Sequence, residues 1–461
     1  MSTPTHFDDI IIGAGQAGPS LAGRLTQAGR RVAMIERKLF GGTCVNTGCT
    51  PTKTLIASAY AAHMVRRAHE YGVDFDAPVR IDFKTLMARK NKVVKNSRHG
   101  VEDWLRNMKG CTVYDGHARF LSPNDLQVGT QHLSAERFFL NVGGRAVIPN
   151  FPGIREITPL TNVSLLELTE LPEHLVIVGG SYVGIEFAQM FRRFGSQVTI
   201  VEKAPRLVSH EDEDVSAAIL DILEKEGIEV RLNAECIHFQ KRPHGAAVGL
   251  TCTEGHPEVE GTHVLLAMGR RPNTDDLDLA KAGVKADEHG YVLVDDSLQT
   301  SQPHIWAMGD CNGKGAFTHT AYNDFEIVAA NLLDKDPRKV SDRLPCYALY
   351  TDPPLGRAGM TEAEVRKSGR KALIGTRLMT KVSRALEKGE SQGFMKILVD
   401  AETKQILGAS ILGVGGDEAI HSILATMYAK QPYTTMQRAV YIHPTVSELI
   451  PTMLGNLEPL K

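Results

Sequence analysis

Short, unbroken apolar runs that end in glycine set the pattern along much of the chain. Ile10-Ile11-Ile12 is apolar at every position, which predicts a strand buried on both faces. It runs into Gly13-Ala14-Gly15-Gln16-Ala17-Gly18; a helix is then predicted to about Gln27, and a strand over Arg31–Ile35 ends at Glu36. Val176-Ile177-Val178 repeats the arrangement. It enters Gly179-Gly180-Ser181-Tyr182-Val183-Gly184, a helix is predicted to about Arg193, and a strand over Val198–Val201 ends at Glu202. Gly13 to Glu36 and Gly179 to Glu202 each span 23 positions, so the chain carries an internal repeat of one strand–turn–helix–strand unit. Between the two copies the pattern predicts helices from His63 to Met108, with a basic, solvated face. An antiparallel meander is predicted from Cys111 to Phe139, turning at Ser122-Pro123-Asn124-Asp125. Val264–Met268 is a further strand, leading into Gly269-Arg270-Arg271-Pro272-Asn273. After Leu344 the pattern changes to strands at Phe394–Val399 and Ile406–Leu412, with helices around Asp417–Ala429 and Thr434–Val440.

Composition narrows the class. At 461 residues the chain is long enough for about three domains, each with its own core. The 52 basic residues balance 54 acidic ones, which gives no footprint for nucleic acid. No apolar run approaches the ~18 residues of a membrane span, and Met1 to Asp9 lacks the apolar core of a signal peptide. The seven cysteines are scattered apart from one close pair, so a reducing compartment is expected and a secreted disulfide framework is not. The expected location is the cytoplasm.

The two glycine turns carry the first candidate chemistry. Each has a strand before it, a helix after it and an acid at the end of the next strand, as a dinucleotide site requires. Gly13 allows the tight turn, Gly15 lets the backbone approach a pyrophosphate, and Gly18 permits close packing of helix on strand. Helix N–H groups hold the phosphates, and Glu36 can accept from a ribose hydroxyl. In the second copy Gly179, Ser181 and Gly184 take these places, with the small Ser181 tolerated where the second glycine stood. Two such sites imply two cofactors that exchange electrons, most simply FAD and a nicotinamide nucleotide. Glu202 would bond an adenosine ribose diol and repel a 2′-phosphate, which favours NADH, although Lys203 and Arg206 follow closely and could rescue NADPH.

Cys44 and Cys49 are the close pair, within Gly41-Gly42-Thr43-Cys44-Val45-Asn46-Thr47-Gly48-Cys49-Thr50-Pro51-Thr52-Lys53. If Pro51 and Thr52 open a helix, both thiols lie near its N-terminal end, where the dipole favours thiolate. Such a pair can close a small, easily reduced disulfide. Zinc would need a second Cys/His pair nearby, and none stands there, so no metal site is expected. The motif resembles the redox-active segment of the pyridine nucleotide-disulphide oxidoreductases, and matching elements recur to the C-terminus.

That resemblance implies an α/β fold with two Rossmann-like dinucleotide-binding domains and a C-terminal α+β dimerisation domain. The FAD domain would be discontinuous, 1–150 with 270–344; the NAD(P) domain would span 151–269, and the dimerisation domain 345–461. It implies that Cys49 is the thiol nearest the flavin and Cys44 the thiol that meets substrate. Lys53 and Glu186 pair beside the flavin, and Tyr182 covers its face until nicotinamide displaces it. Asp310 meets the ribityl chain, and Gly269 begins the return to the FAD domain. The departure Asn141-Val142-Gly143-Gly144 at the other crossover has open contacts, and Cys311 is expected as a buried thiol. His443-Pro444-Thr445-Val446-Ser447-Glu448 resembles the family's acid–base segment: His443 would serve the cysteines of the other subunit of a homodimer, oriented by Glu448.

Among possible acceptors, glutathione disulfide is disfavoured by Glu202. Dihydrolipoamide dehydrogenase shares the histidine segment but usually differs at the positions of Val45, Thr50 and Thr52. The cysteine segment is closer to the mercuric-reductase-like branch, although the chain ends Asn456-Leu457-Glu458-Pro459-Leu460-Lys461 without that enzyme's vicinal cysteine pair. A small thiophilic metal ion, Hg(II) or Cu(II), or an oxidised sulfur species is therefore the expected acceptor. The rival from another class is a flavoprotein redox sensor without turnover, against which the joint presence of both cysteines, His443 and Glu448 argues.

Overall fold

The computed structural model describes residues 4–251 and 257–461. The apolar run that contains Ile10–Ile12 forms β1 (Thr5–Ile12), which feeds α1 (Ala17–Gln27) and β2 (Val32–Glu36). The redox segment folds as α2 (Gly42–Thr47) followed directly by α3 (Cys49–Arg66), and α4 (Phe83–Arg106) returns along it. Next come β3 (Cys111–Asp115), β4 (Ala118–Ser122), β5 (Asp125–Val128) and β6 (Gln131–Leu140). The sheet order is β3-β2-β1-β6-β5-β4, with the strand Ile305–Ala307 also paired to β6.

This order corrects the expected meander. β3 lies parallel to β2, because α4 has already carried the chain across the sheet, as a parallel connection requires. Only β4, β5 and β6 form the antiparallel ribbon, and β6 does two jobs. Its first half pairs with β5, and its second half runs parallel between β1 and Ile305–Ala307. The basic face of α4 also has an exception. Lys90 is buried, its Nζ donating to the Leu166 carbonyl at 2.5 Å, and burial lowers its pKa.

The chain leaves this unit through β7 (Gly144–Ala146) and returns through Arg270–Pro272, and these two short strands pair antiparallel. Between them a single turn, α5 (Asn162–Leu165), precedes β8 (His174–Val178), α6 (Tyr182–Phe194) and β9 (Gln197–Val201). Glu229–Arg231, β9, β8 and His263–Leu266 make a four-stranded parallel sheet, the second copy of the repeat. α6 packs on α3, Phe191 meets Phe83 of α4 with ring centroids 6.4 Å apart, and Phe187, Leu55 and Met87 belong to the same apolar cluster. Burying each of those rings is worth about 2 kcal/mol. That packing fixes the two helices that carry the candidate site.

The C-terminal domain is an antiparallel six-stranded sheet ordered Cys346–Leu349, Leu355–Gly359, Ile406–Leu412, Phe394–Asp400, Ala372–Leu378, Glu458–Pro459, with the helix Gly416–Tyr428 packed on it. The helix expected over Thr434–Val440 stops at Gln437. Branched Val440 and Ile442 and the following Pro444 disfavour its continuation, and both branched residues stand exposed, Val440 fully. Among the described residues, no helix is long and apolar enough to cross a membrane.

Candidate active site

Cys44 lies on α2 and Cys49 opens α3, so the helix begins two residues earlier than its proline suggests. Gly48 makes the break between them possible. A Cβ there would come 2.9 Å from the Thr43 carbonyl oxygen and 3.3 Å from the Cα of Cys44. Both cysteines are free thiols and hydrogen-bond to each other. The hydrogen bond from Cys44 is the largest influence on Cys49, whose pKa is lowered to about 6; the Thr318 hydroxyl, at 3.2 Å, and the Lys53 ammonium add to it against burial. The same hydrogen bond, with burial, pushes Cys44 well above the usual thiol range. Position at the N-terminus of the long helix α3 further favours charge on Cys49. The pair is thus asymmetric: Cys49 is poised as the thiolate and Cys44 as its proton-bearing partner.

Lys53 sits one turn after Cys49 on α3, and Glu186 one turn after Tyr182 on α6, so each pair shares a helix face. Lys53 Nζ meets both Glu186 carboxylate oxygens, at 2.9 and 2.7 Å, and lies 4.6 Å from the centroid of the Tyr350 ring. Tyr182 packs against Tyr347 and Phe317, with centroids 5.3 and 6.3 Å away.

The two glycine turns are built alike. Ala14 N–H donates to Glu36 Oε2 at 2.9 Å, and Lys38 N–H to its Oε1 at 2.8 Å. Gly180 N–H donates to Glu202 Oε2 at 2.5 Å, and Ala204 N–H to its Oε1 at 2.7 Å. Each terminal acid therefore clamps its own turn. A Cβ on Gly18 or Gly184 would come within 2.4 or 2.0 Å of the carbonyl of Gly13 or Gly179, so only glycine lets either helix pack so close. Gly15 accepts from the Gly18 N–H, and Ser181 from the Ile185 N–H, each at 3.1 Å. Asn141, at the end of β6, closes the first turn: its Nδ2 donates to the Gly13 carbonyl at 2.9 Å.

Asp310 borders a cavity of about 530 Å³, together with Gly144, Arg270, Asn312 and Lys314, and Arg270 lies 3.4 Å from its carboxylate. Gly269, at the return crossover, accepts from Val147 N–H at 3.1 Å. A glycine turn at a helix start, an acid at the end of the next strand and a cavity bordered by Asp310 are groups that suit a dinucleotide, so the first unit fits FAD. Cys311 beside Asp310 is fully buried, and burial pushes its pKa up to about 12.

His443 Nδ1 lies 3.0 and 2.9 Å from the two oxygens of Glu448. The histidine side chain is 72% exposed, and among the described residues no hydrogen bond or ion pair joins it to Cys44 or Cys49 of the same chain. The structure thus brings Cys44, Cys49, Lys53, Tyr182 and Glu186 together and holds the His443–Glu448 pair apart from them.

A family model described as pyridine nucleotide-disulphide oxidoreductase matches residues 7–324. The chain belongs to that family. The family's dimerisation-domain model matches residues 346–454, which include His443 and Glu448. This pyridine nucleotide-disulphide oxidoreductase is 37% identical over 452 residues to a probable pyridine nucleotide-disulfide oxidoreductase, RclA, of Escherichia coli (strain K12), covering 96% of this chain and 97% of that one. It is 34% identical to a mercuric reductase of Streptomyces lividans, covering 95% of each chain. It is 32% identical to a dihydrolipoyl dehydrogenase of Thermus scotoductus, covering 96% and 95%. The solved structure described as the HOCl-induced flavoprotein disulfide reductase RclA from Escherichia coli superposes with a TM-score of 0.88 at 35% identity, over 97% of this chain and 99% of that one. The same relative has been solved as a Cu(II) complex. Family membership implies an oxidoreductase that uses FAD and a nicotinamide nucleotide, and the dimerisation domain implies a homodimer.

Thr318 and Tyr347 are site neighbours that no local sequence signal marks, and the open contact of Asn141 is the one it makes with the Gly13 carbonyl. Thr318 follows Asp310 at a distance without any motif of its own. Tyr347 is known to the site only through a contact between domains.

Proposed function

We propose that this chain is an NAD(P)H-dependent flavoenzyme whose Cys44–Cys49 dithiol reduces a small soft oxidant, a thiophilic metal ion or an oxidised sulfur species. The asymmetric thiol pair, with Cys49 lowered to about 6, is the observation that carries this reading. Gly13, Gly15, Gly18, Glu36 and Asp310 hold the FAD, and Gly179, Ser181, Gly184 and Glu202 hold the nicotinamide nucleotide. Bound FAD supplies two-electron transfer between that nucleotide and the cysteine pair. Lys53 stabilises the Cys49 thiolate, and Glu186 keeps Lys53 in place. Cys44 holds its proton, so its attack on a sulfur substrate needs a base. His443 of a second copy, oriented by Glu448, takes that proton and gives it to the leaving group.

The electron count is the same for each acceptor class. Oxidation of the fully protonated dithiol to the disulfide releases two electrons and two protons, of which the Cys49 thiolate has already given one to solvent. One Hg(II) or two Cu(II) consume the electrons. A sulfenic acid consumes both electrons and both protons: Cys44 sulfur bonds the substrate sulfur, water departs, and Cys49 thiolate then displaces the product thiol. A soft dithiol suits all of these, and the Cu(II) complex and HOCl induction of the RclA relative support the choice. The His443–Glu448 pair and the dihydrolipoyl dehydrogenase relative favour a second reading, oxidation of a dithiol carrier or reduction of its disulfide.

Steady-state kcat/KM across Cu(II), Hg(II), oxidised sulfur species, glutathione disulfide and lipoamide separates the two. A metal or sulfur oxidant should exceed lipoamide, and NADH should exceed NADPH. Glu202→Ala should narrow the nucleotide difference, since a charge-assisted ribose contact is worth about 1.5–3 kcal/mol. A lipoamide value ten times above every other acceptor would make the enzyme a dihydrolipoyl dehydrogenase, and a wild-type preference for NADPH would reassign that site to Lys203 and Arg206.

A further inference from the structure

Asp324 lies in the middle of the helix Thr318–Ala329, whose first residue reaches Cys49. Its side chain is only 2% exposed, and both carboxylate oxygens are engaged. Oδ2 accepts the Gly309 N–H and the Asn312 side-chain amide, each at 2.8 Å. Oδ1 takes Arg343 Nη2, and Arg343 Nε donates to the neighbouring Asn323 Oδ1 at 2.8 Å. Burial pushes the carboxyl pKa up, against the pull of Arg343 and these donors. A buried carboxylate is costly unless it is paired and hydrogen-bonded, and a buried ion pair seldom adds stability over apolar packing of the same volume. Its contacts point to placement instead.

What Asp324 holds is one turn. Gly309–Asn312 forms a single short helical turn after the strand Ile305–Ala307, and Asp324 bonds both ends of it. Asp310, between those ends, borders the cavity of about 530 Å³. Asn312 fastens the turn further: its amide also donates to the Ala307 carbonyl at 3.0 Å, and its oxygen accepts the Lys314 N–H at 2.8 Å. A Cβ on Gly309 would stand 3.3 Å from the Ala321 side chain and 3.5 Å from Asn141 Oδ1. Asn141 closes the Gly13 turn, so the two candidate FAD segments meet beside the turn that Asp324 anchors. Arg343 pairs with no other carboxylate among the described residues, and the residue after it, Leu344, packs on the core of the C-terminal domain.

We propose that Asp324 is a positioning residue for the flavin cofactor: with Arg343 as its counter-ion it fixes the Gly309–Asn312 turn and thereby holds Asp310 at the cavity where FAD binds. The inference rests on the reading of Asp310 as an FAD ligand. Asp310 and Asn312 border the cavity and Asp324 does not, so Asp324 acts through the turn. Loosening the turn makes FAD binding carry the cost of ordering Asp310.

Release of FAD from diluted holoenzyme, followed by the recovery of free-FAD fluorescence, tests this without turnover. Asp324→Asn should weaken FAD binding about tenfold, the scale of one charge-assisted hydrogen bond. In an Asp310→Asn background the same substitution should change the FAD Kd by less than about twofold, because the double-mutant cycle isolates what Asp324 does through Asp310. Arg343→Lys keeps the charge but not the two-point contact; it should weaken FAD about threefold, again only where Asp310 is intact, and carries the test if Asp324→Asn does not fold. An unchanged Kd, or an equal factor with and without Asp310, overturns the proposal; a purely structural Asp324 would give the latter with a lowered Tm. Asp310→Asn that holds FAD as tightly as wild type would overturn the reading of Asp310 itself, and this inference with it.

Discussion

Serine at Cys49 and serine at Cys44 should each lower acceptor reduction by about a thousandfold or more, ~4 kcal/mol of transition-state stabilisation, yet leave proteins of different colour. A thiolate at Cys49 placed against oxidised FAD gives a long-wavelength charge-transfer band. Cys44→Ser should keep that band without added reductant, and Cys49→Ser should lose it. The pH dependence follows from the lowered pKa of Cys49, about 6 with its Cys44 hydrogen bond in place. In two-electron-reduced wild type the thiolate band should be full at neutral pH and fade as pH falls through about 6. Absorbance spectra of the two variants, titrated anaerobically, check the assignment, and the reverse pattern would exchange the roles of the two cysteines.

The second large effect concerns the pair that lies outside the single-chain site. His443→Ala should lower reduction of a sulfur acceptor about a hundredfold, the loss of one positioned acid–base group. Reduction of the cysteine pair by the nicotinamide nucleotide should be spared. If His443 serves a second copy, mixing Cys44→Ser protomers with His443→Ala protomers restores one intact site per mixed dimer, because each protomer supplies what the other lacks. Activity should therefore reappear on mixing two inactive proteins. Mixed dimers shown by native mass spectrometry to form and yet to remain inactive would remove the cross-subunit site. The exposure of Val440 and Ile442 beside His443, within the matched dimerisation domain, is the apolar surface such a contact would cover.

What the sequence made legible follows from how local each signal is. The two glycine turns and their acids stand at fixed offsets within one strand–turn–helix–strand unit. Backbone sterics and phosphate geometry dictate those offsets whatever surrounds them. The same holds for Cys44, Cys49 and Lys53, which are placed by one helix boundary and one helical turn. Cys111–Asp115 was harder: a short strand beside a hairpin has the same apolar pattern whether it joins the hairpin or the parallel sheet, and α4 decides that from a distance. Over Thr434–Val440 the helix ends at Gln437, and Val440 beyond it stands fully exposed, with no core in this chain to hold it helical. Their place at the strand end marks Glu36 and Glu202 as ribose acceptors, and the structure adds that each fastens the turn it faces. Thr318 and Tyr347 reach the site only through contacts between units far apart in sequence, and such contacts leave no periodic trace.

The central claim is that Cys44 and Cys49 cycle between disulfide and dithiol under nicotinamide control. Anaerobic alkylation with iodoacetamide before and after one equivalent of NADH, read by peptide mass spectrometry on the air-oxidised holoenzyme, tests it most directly. The account predicts that Cys44 and Cys49 are both unreactive before NADH and become open to alkylation after it, while buried Cys311 stays unmodified throughout. Alkylation of Cys44 and Cys49 that is equal with and without nucleotide, after either NADH or NADPH, would contradict it.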